Sequence, residues 1–192
     1  MLMKILFFAG ALRKDSSNKK FVREAMRLTQ AKGGIEVEFL DLIDYPMPPY
    51  DGDIESSSGV PENTQKLGGK IREADALVIS TPEYNGGIPG TLKNIIDWLS
   101  REKTVSLAGK PLLLLAASPG ALGGVRSLWH TRVPFEALGM HVFPGMMGLS
   151  GAYGAFDEQG KLREEKYIKQ LQNTLDSYLG HIGALRVQSI IL

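Results

Sequence analysis

Short apolar runs alternate along this chain with segments whose apolar positions repeat at helical spacing, and breaks rich in glycine, serine or proline separate them. Ile5 to Ala9 is the first run. After the break Gly10-Ala11-Leu12-Arg13-Lys14-Asp15-Ser16-Ser17-Asn18, residues Phe21, Val22, Ala25, Met26 and Leu28 mark a helix that ends at Gly33-Gly34. Ile35, Val37 and Phe39 then alternate with Glu36 and Glu38, the pattern of a strand with one wetter face, near a sheet edge. Asp41 to Pro61 carries four of the ten prolines and a serine triplet and reads as a long irregular loop, a length that usually serves a site or a partner. A helix is expected over Glu62 to Arg72. Ala76 to Ser80 follows as a buried strand, Thr81 to Gly90 as a loop, and Leu92, Ile95, Ile96 and Leu99 as the apolar face of the next helix.

Pro111 to Ala117 is a fourth buried strand, followed by the loop Ser118 to Gly124 and a helix over Val125 to Leu138, distorted at Pro134. Met140 to Phe143 reads as a short fifth strand, Gly145 to Gly160 as glycine-rich loop, and Leu162 to Leu179 as a final helix. Repeated strand-then-helix units predict a parallel sheet with right-handed crossovers. The fold class is therefore α/β: a flavodoxin-like, doubly wound, five-stranded parallel sheet in three α/β/α layers, one domain over residues 1–180. Residues 181–192 form an apolar extension, in which Ile182, Leu185, Val187, Ile190, Ile191 and Leu192 suit either a packed extension or an oligomer contact.

At 192 residues and 43% apolar content the chain can bury one sizeable core. Twenty-two basic and 21 acidic side chains leave a net charge of +1, which gives no electrostatic case for nucleic acid or for an acidic membrane surface. The absence of cysteine excludes disulfides, thiol catalysis and thiolate metal sites, and suits a reducing compartment. His130, His141 and His181 are too scattered to suggest a zinc site. The opening Met1 to Ala11 has the outline of a signal peptide, but its apolar run is short and Arg13-Lys14 follows at once, so it reads as a strand of a cytoplasmic protein. No stretch approaches the ~20 apolar residues of a membrane span.

Three loops at strand ends carry the candidate chemistry, and in an open α/β sheet ligands bind at that edge. The first has the composition of a phosphate cradle: backbone N–H groups at a helix N-terminus attract anions, Ser16, Ser17 and Asn18 add donors, and Arg13 offers a fork. Serine caps helices routinely, so the same residues also serve a purely structural end. The second loop, Thr81 to Gly90, is stiffened by Pro82 and Pro89 and offers a charge at Glu83, a ring at Tyr84 and an amide at Asn85 before Gly86. Several alternatives fail: no G-x-x-x-x-G-K-[ST] occurs, no two glycines are spaced by one residue, and Gly148-Leu149-Ser150-Gly151 lacks the spacing of a nucleophile elbow. A phosphate cradle beside a stiff polar loop suits a mononucleotide with a flat head. FMN fits best, with its phosphate on the first loop, its ring against Pro82 to Gly86, and its pyrimidine edge near the backbone N–H groups of Ser118 to Gly124.

At these loops the chain resembles the NADPH-dependent FMN reductases of flavodoxin-like fold, which include quinone and chromate reductases. The resemblance rests on Gly10 to Asn18, similar to a G-S-x-R-x-x-S-x-N loop, and on Thr81-Pro82-Glu83-Tyr84-Asn85-Gly86 with Pro89-Gly90, Leu92-Lys93-Asn94 and Asp97-Trp98. The first loop departs from the pattern at Ala11, where the family usually offers a serine hydroxyl. The resemblance implies that Arg13, Ser16 and Asn18, flanked by Leu12 and Ser17, hold the phosphate. It implies that Pro82, Glu83, Tyr84, Asn85 and Gly86 lie along the flavin, and that Ser118, Pro119, Gly120, Gly123 and Gly124 close the far side. No side chain is assigned a proton-transfer role. The expectation is an FMN-dependent oxidoreductase that takes hydride from NADPH or NADH and passes electrons to a small soluble acceptor such as a quinone, flavin, azo compound or chromate. A homodimer or homotetramer is also implied. A flavodoxin-like electron carrier is the competing reading, but such carriers are usually strongly acidic, unlike this chain.

Overall fold

A computed structural model describes the backbone of residues 2–191 and the side chains of residues 2–186. Its strands are β1 (Met3–Ala9), β2 (Ile35–Leu40), β3 (Ala76–Ser80), β4 (Pro111–Ala117), β5 (His141–Val142) and β6 (Met147–Leu149). Its α-helices are α1 (Ser17–Gln30), α2 (Gly52–Ser58), α3 (Glu62–Glu73), α4 (Gly90–Leu99), α5 (Val125–Ala137) and α6 (Glu165–Ile191). The sheet is parallel in the order β2-β1-β3-β4-β5, with β6 also paired to β4. Strand order reverses between β1 and β3, the switch point at which flavodoxin-like sheets bind ligands.

Alternation along the central strands sends residues to two cores. Phe7, Val78, Leu113 and Leu115 pack under α1 and α6 with Phe21, Leu171 and Leu175. Phe8, Ile79, Leu112 and Leu114 pack under α3, α4 and α5 with Ile71, Ile96 and Leu128. With both faces covered, β3 and β4 have no solvent-facing side, which is why their sequences are continuous apolar runs. Tyr178 on α6 is fully buried, and its hydroxyl donates to the Leu77 carbonyl oxygen at 2.8 Å. Burial pushes that phenol well above its ordinary pKa, so it stays a neutral donor.

Four details depart from the sequence expectations. The fifth strand position is split: β5 pairs with the start of β4 (Leu112 beside Val142), and β6 pairs with its end (Leu115 beside Met147). The stretch 145–160 is therefore not all loop. Its remainder includes a bridge between Phe156 and Leu162, so Leu162 reaches the core from a hairpin and the last helix starts only at Glu165. That helix then passes residue 180 without a break, because Ile182 is buried in the same core as Tyr178. Of the apolar extension, the side chains of Val187, Ile190, Ile191 and Leu192 lie outside the described residues. Finally, the segment 41–61 is more ordered than expected. It contains a 3-10 turn at Leu42–Asp44 and α2, started by the Asp41 and Asp51 carboxylates, which accept from the Ile43 and Asp53 N–H groups. Pro134 falls in the last turn of α5, which continues to Ala137.

Candidate functional site at the switch point

The loops after β1, β3 and β4 converge on a cleft of about 240 Å³, lined by Arg13, Ser16, Ser17, Asn18, Pro82, Glu83, Tyr84, Ala117, Ser118, Pro119 and Tyr153. Nine of the fifteen residues expected from sequence are in that lining. The first wall is the start of α1. Ser16 is its N-cap, with Oγ accepting from the Asn18 N–H at 3.2 Å, and no acidic residue occupies the first turn. Asn18 is buried, and its amide is spoken for by β3 and β4: Oδ1 accepts from the Ala117 N–H at 2.8 Å and the Ser80 hydroxyl at 2.7 Å, while Nδ2 donates to the Ala117 carbonyl at 2.9 Å. Ahead of the cap, Arg13 is exposed, and Asp15 pairs with Lys20 at 2.6 Å. The buried Lys19 draws the loop inward, donating to the Leu12 carbonyl at 3.1 Å and pairing with Asp41 at 2.7 Å.

The second wall is a tight hairpin. Tyr84 and Gly87 exchange backbone hydrogen bonds of 3.2 and 3.0 Å across Asn85 and Gly86, both at positive φ (52° and 78°). Positive φ at both central positions is a type I′ turn, for which Asn-Gly is the favoured pair. The hairpin leans on α5. The Arg126 guanidinium donates to the Glu83 carboxylate through Nε at 2.8 Å and also through Nη2, the Ser127 N–H lies 3.4 Å from Glu83 Oε2, and the Ser127 hydroxyl donates to the Pro82 carbonyl at 2.9 Å. Ser127 is the third residue of α5, so Glu83 also faces the positive end of that helix. Arg126 is the main cause holding the Glu83 carboxyl below its ordinary range, and it remains charged in the cleft wall.

The third wall is the loop after β4. Ser118 Oγ accepts from the Gly120 N–H at 3.3 Å, and the Ser118 carbonyl accepts from Ala152, which brings Tyr153 to the rim, 76% exposed. The remaining expected residues lie outside the cleft. Leu12 lines a separate groove of about 610 Å³ against α4 and residues 45–50, Asn85 and Gly86 form the hairpin tip, and Gly120 is exposed on the loop. Gly123 and Gly124 are buried, and a side chain at either would collide with the strands: a Cβ on Gly123 would sit 2.9 Å from the Gly148 carbonyl carbon, one on Gly124 2.8 Å from Ala116 Cβ. Sequence reasoning missed Ala117, Tyr153, and the Arg126 and Ser127 anchors. An apolar-small-apolar triplet at Met147-Gly148-Leu149 was the one local signal that a strand delivers Tyr153.

Residues 3–154, which include all three walls, match the NADPH-dependent FMN reductase family. The chain belongs to that family. Among FMN reductase relatives, an NAD(P)H-dependent FMN reductase of Pseudomonas aeruginosa is 36% identical over 186 residues, covering 96% of this chain and 97% of its own. A quinone reductase of Escherichia coli is 42% identical over 130 residues, 68% of each chain. The fold superposes on the flavoenzyme NAD(P)H:acceptor oxidoreductase FerB of Paracoccus denitrificans with a TM-score of 0.82 and 28% identity, over 95% of this chain and 98% of that one. Membership of the FMN reductase family makes the chain an oxidoreductase whose cofactor is FMN and whose reductant is a nicotinamide nucleotide. The donor set agrees. A phosphate at the start of α1 would meet helix N–H groups, two serine hydroxyls and Arg13 with no carboxylate in the first turn; of the acids beside it, Asp15 is paired with Lys20 and Glu83 with Arg126.

Proposed function

We propose that the cleft holds FMN with its phosphate at Arg13, Ser16 and Ser17 and its ring between Pro82 to Tyr84 and Ala117 to Pro119, and that the enzyme reduces quinone-type acceptors. The observation that carries the reading is the meeting of an acid-free helix N-terminus and two stiff, proline-bearing walls in one cleft at the sheet's switch point. FMN, when bound, supplies two-electron chemistry between a nicotinamide nucleotide and the acceptor. The protein's part is placement. Ser16 and Ser17 orient the phosphate, Pro82 and Pro119 offer flat apolar surface, and the Glu83–Arg126 pair keeps the hairpin wall fixed against α5. Names of relatives favour quinones among the possible acceptors, with free flavin, azo compounds and chromate as the other classes. One open cleft serving reductant and acceptor in turn gives ping-pong kinetics; intersecting initial-rate lines would exclude it.

The same reading makes the protein cytoplasmic, consistent with a cysteine-free chain in which, among the described residues, no helix is long and apolar enough to cross a membrane. It also makes it a homodimer, or a tetramer of two such dimers, joined through α5. Trp129 and Val133 on that helix, Leu122 just before it and Tyr84 on the adjoining hairpin are 57%, 66%, 58% and 55% exposed, an apolar surface suited to a second copy. A monomeric mass by light scattering at micromolar concentration would refute the assembly. The function is tested by the visible spectrum of the purified protein, the identity of the cofactor released on heating, and anaerobic titration with NADPH and NADH. Yellow protein that releases FMN and bleaches with either nucleotide is the expected result, and colourless protein that takes up no FMN overturns the reading.

A further inference from the structure

Asn18 lines the cleft, yet its side-chain hydrogen bonds go to the ends of β3 and β4. It is 3% exposed, and three of its four hydrogen-bonding positions are used by protein: both lone pairs of Oδ1, by the Ala117 N–H and the Ser80 hydroxyl, and one amide hydrogen, by the Ala117 carbonyl. Exchange of both bonds with one residue is what a neighbouring strand does. The register explains why a side chain does it here. The last backbone bond between the two strands is from the Thr81 N–H to the Leu115 carbonyl, and Ala117 is the next residue of β4 to face the same way. At that point the chain turns off at Pro82, which leaves the Ala117 N–H and carbonyl without a strand partner. Asn18, on the first turn of α1, fills the gap.

Resting on the FMN reading above, we propose that Asn18 is a positioning residue that sets the phosphate wall and the ring walls at a fixed separation, and is not itself a phosphate ligand. Its oxygen is saturated and one of its two amide hydrogens is held by the Ala117 carbonyl, so the side chain is fixed in its bonds to β3 and β4. Its bonds join the loop after β1 to the ends of β3 and β4, so one side chain spans all three walls. Loss of Asn18 then affects the binding of any flavin ring, whether or not the ligand carries a phosphate.

The test compares FMN with riboflavin, which lacks the phosphate, by fluorescence titration of the apo-protein well below each variant's melting temperature. Asn18→Ala should weaken both ligands by the same factor, about tenfold or more, since it leaves two buried backbone groups unpaired. Ser80→Ala removes one bond to Asn18 from a fully buried position outside the cleft, and should weaken both ligands by a smaller common factor, roughly threefold. Loss of FMN affinity alone, with Ser80→Ala neutral, would overturn the proposal and make Asn18 a phosphate ligand. Unchanged affinities at a lowered melting temperature would also overturn it, leaving Asn18 a stabilising residue only. If Asn18→Ala yields no folded protein, Ser80→Ala decides by the same two-ligand criterion. Wild-type protein that binds neither flavin sinks the FMN reading itself, an outcome distinct from variants that bind as wild type does.

Discussion

The two sides of the cleft are built by different means. The hairpin and the loop after β4 are cross-tied: Glu83 to Arg126, Pro82 to Ser127, Gly123 and Gly124 pressed against β6 and β4. On the other side, residues 12–15 stand exposed, drawn in through the Leu12 carbonyl by Lys19 and by local contacts at Asp15. A wall that meets a rigid flat ring gains from being fixed beforehand, because the ordering entropy is then met in folding and not at binding. A wall that meets a phosphate can rely on exposed, charge-assisted donors that close on the ligand. Substitutions on the ring side should therefore disturb fold and binding together, and substitutions among the exposed residues 12–15 binding alone.

Gly123→Ala should break this contrast most severely. The residue sits at φ +59°, where an alanine costs about 1–2 kcal/mol, and the new Cβ would lie 2.9 Å from the backbone of β6, adding an overpacking cost on the order of 1–3 kcal/mol. A melting temperature lower by on the order of 10 °C, read by circular dichroism on apo-protein, is expected together with weaker flavin binding. An unchanged melting temperature would mean that β6 yields easily and that this wall is not rigid.

Glu83→Gln is a milder cut in the same wall. It keeps an acceptor for the Ser127 N–H but removes the ion pair with a half-exposed Arg126, so the cost to the fold is about 1 kcal/mol or less. The pH dependence carries more information. The Glu83 pKa is lowered in the folded state from an ordinary value of 4.5, so its stabilising contribution is complete above that value and fades as pH falls through the lower folded one. Wild type should exceed Glu83→Gln in melting temperature at neutral pH, and the difference should shrink as the pH falls below 4.5 and through the lowered folded-state value. A constant difference across that range would show that the Arg126 contact contributes nothing as a charge pair.

Sequence patterns revealed the parts of this site that depend on neighbours in the chain. Continuous apolar runs at 76–80 and 111–117 placed both ring-side loops, and Asn85-Gly86 in a proline-bracketed stretch signalled a stiff turn. Ties between distant residues left no local trace. Arg126 is 43 positions from Glu83 and Ala117 is 99 from Asn18, and each looked like an ordinary surface or strand residue. Asn18 drew attention as a phosphate donor because it follows two serines, and nothing in the local sequence pointed to its partners, the Ala117 backbone groups and the Ser80 hydroxyl, 99 and 62 positions away. β6 escaped notice because it has three residues, one a glycine, just after Pro144-Gly145. The last helix was expected to end at Leu179, yet it runs on through Gly180 and Gly183, because burial of Ile182 outweighs their weak helix propensity.

Arg13→Ala should have the smallest effect on the fold and so sharpens the contrast from the other side. The guanidinium is exposed and bonds, among protein groups, to the Asp15 carbonyl at 3.0 Å through Nε, a contact within its own loop. Its removal should leave stability within about 0.5 kcal/mol of wild type. Affinity for FMN should fall roughly tenfold, in line with the loss of one charge-assisted contact to a phosphate, and most at low salt, where the screening length is longest. Riboflavin affinity should not change. That pattern is the inverse of the one expected for Asn18→Ala, so the two variants together separate a residue that grips the phosphate from one that sets the distance between the walls. Equal losses for FMN and riboflavin on removing Arg13 would mean that the exposed loop also shapes the ring side, and the division between a fixed wall and an adaptable one would fail.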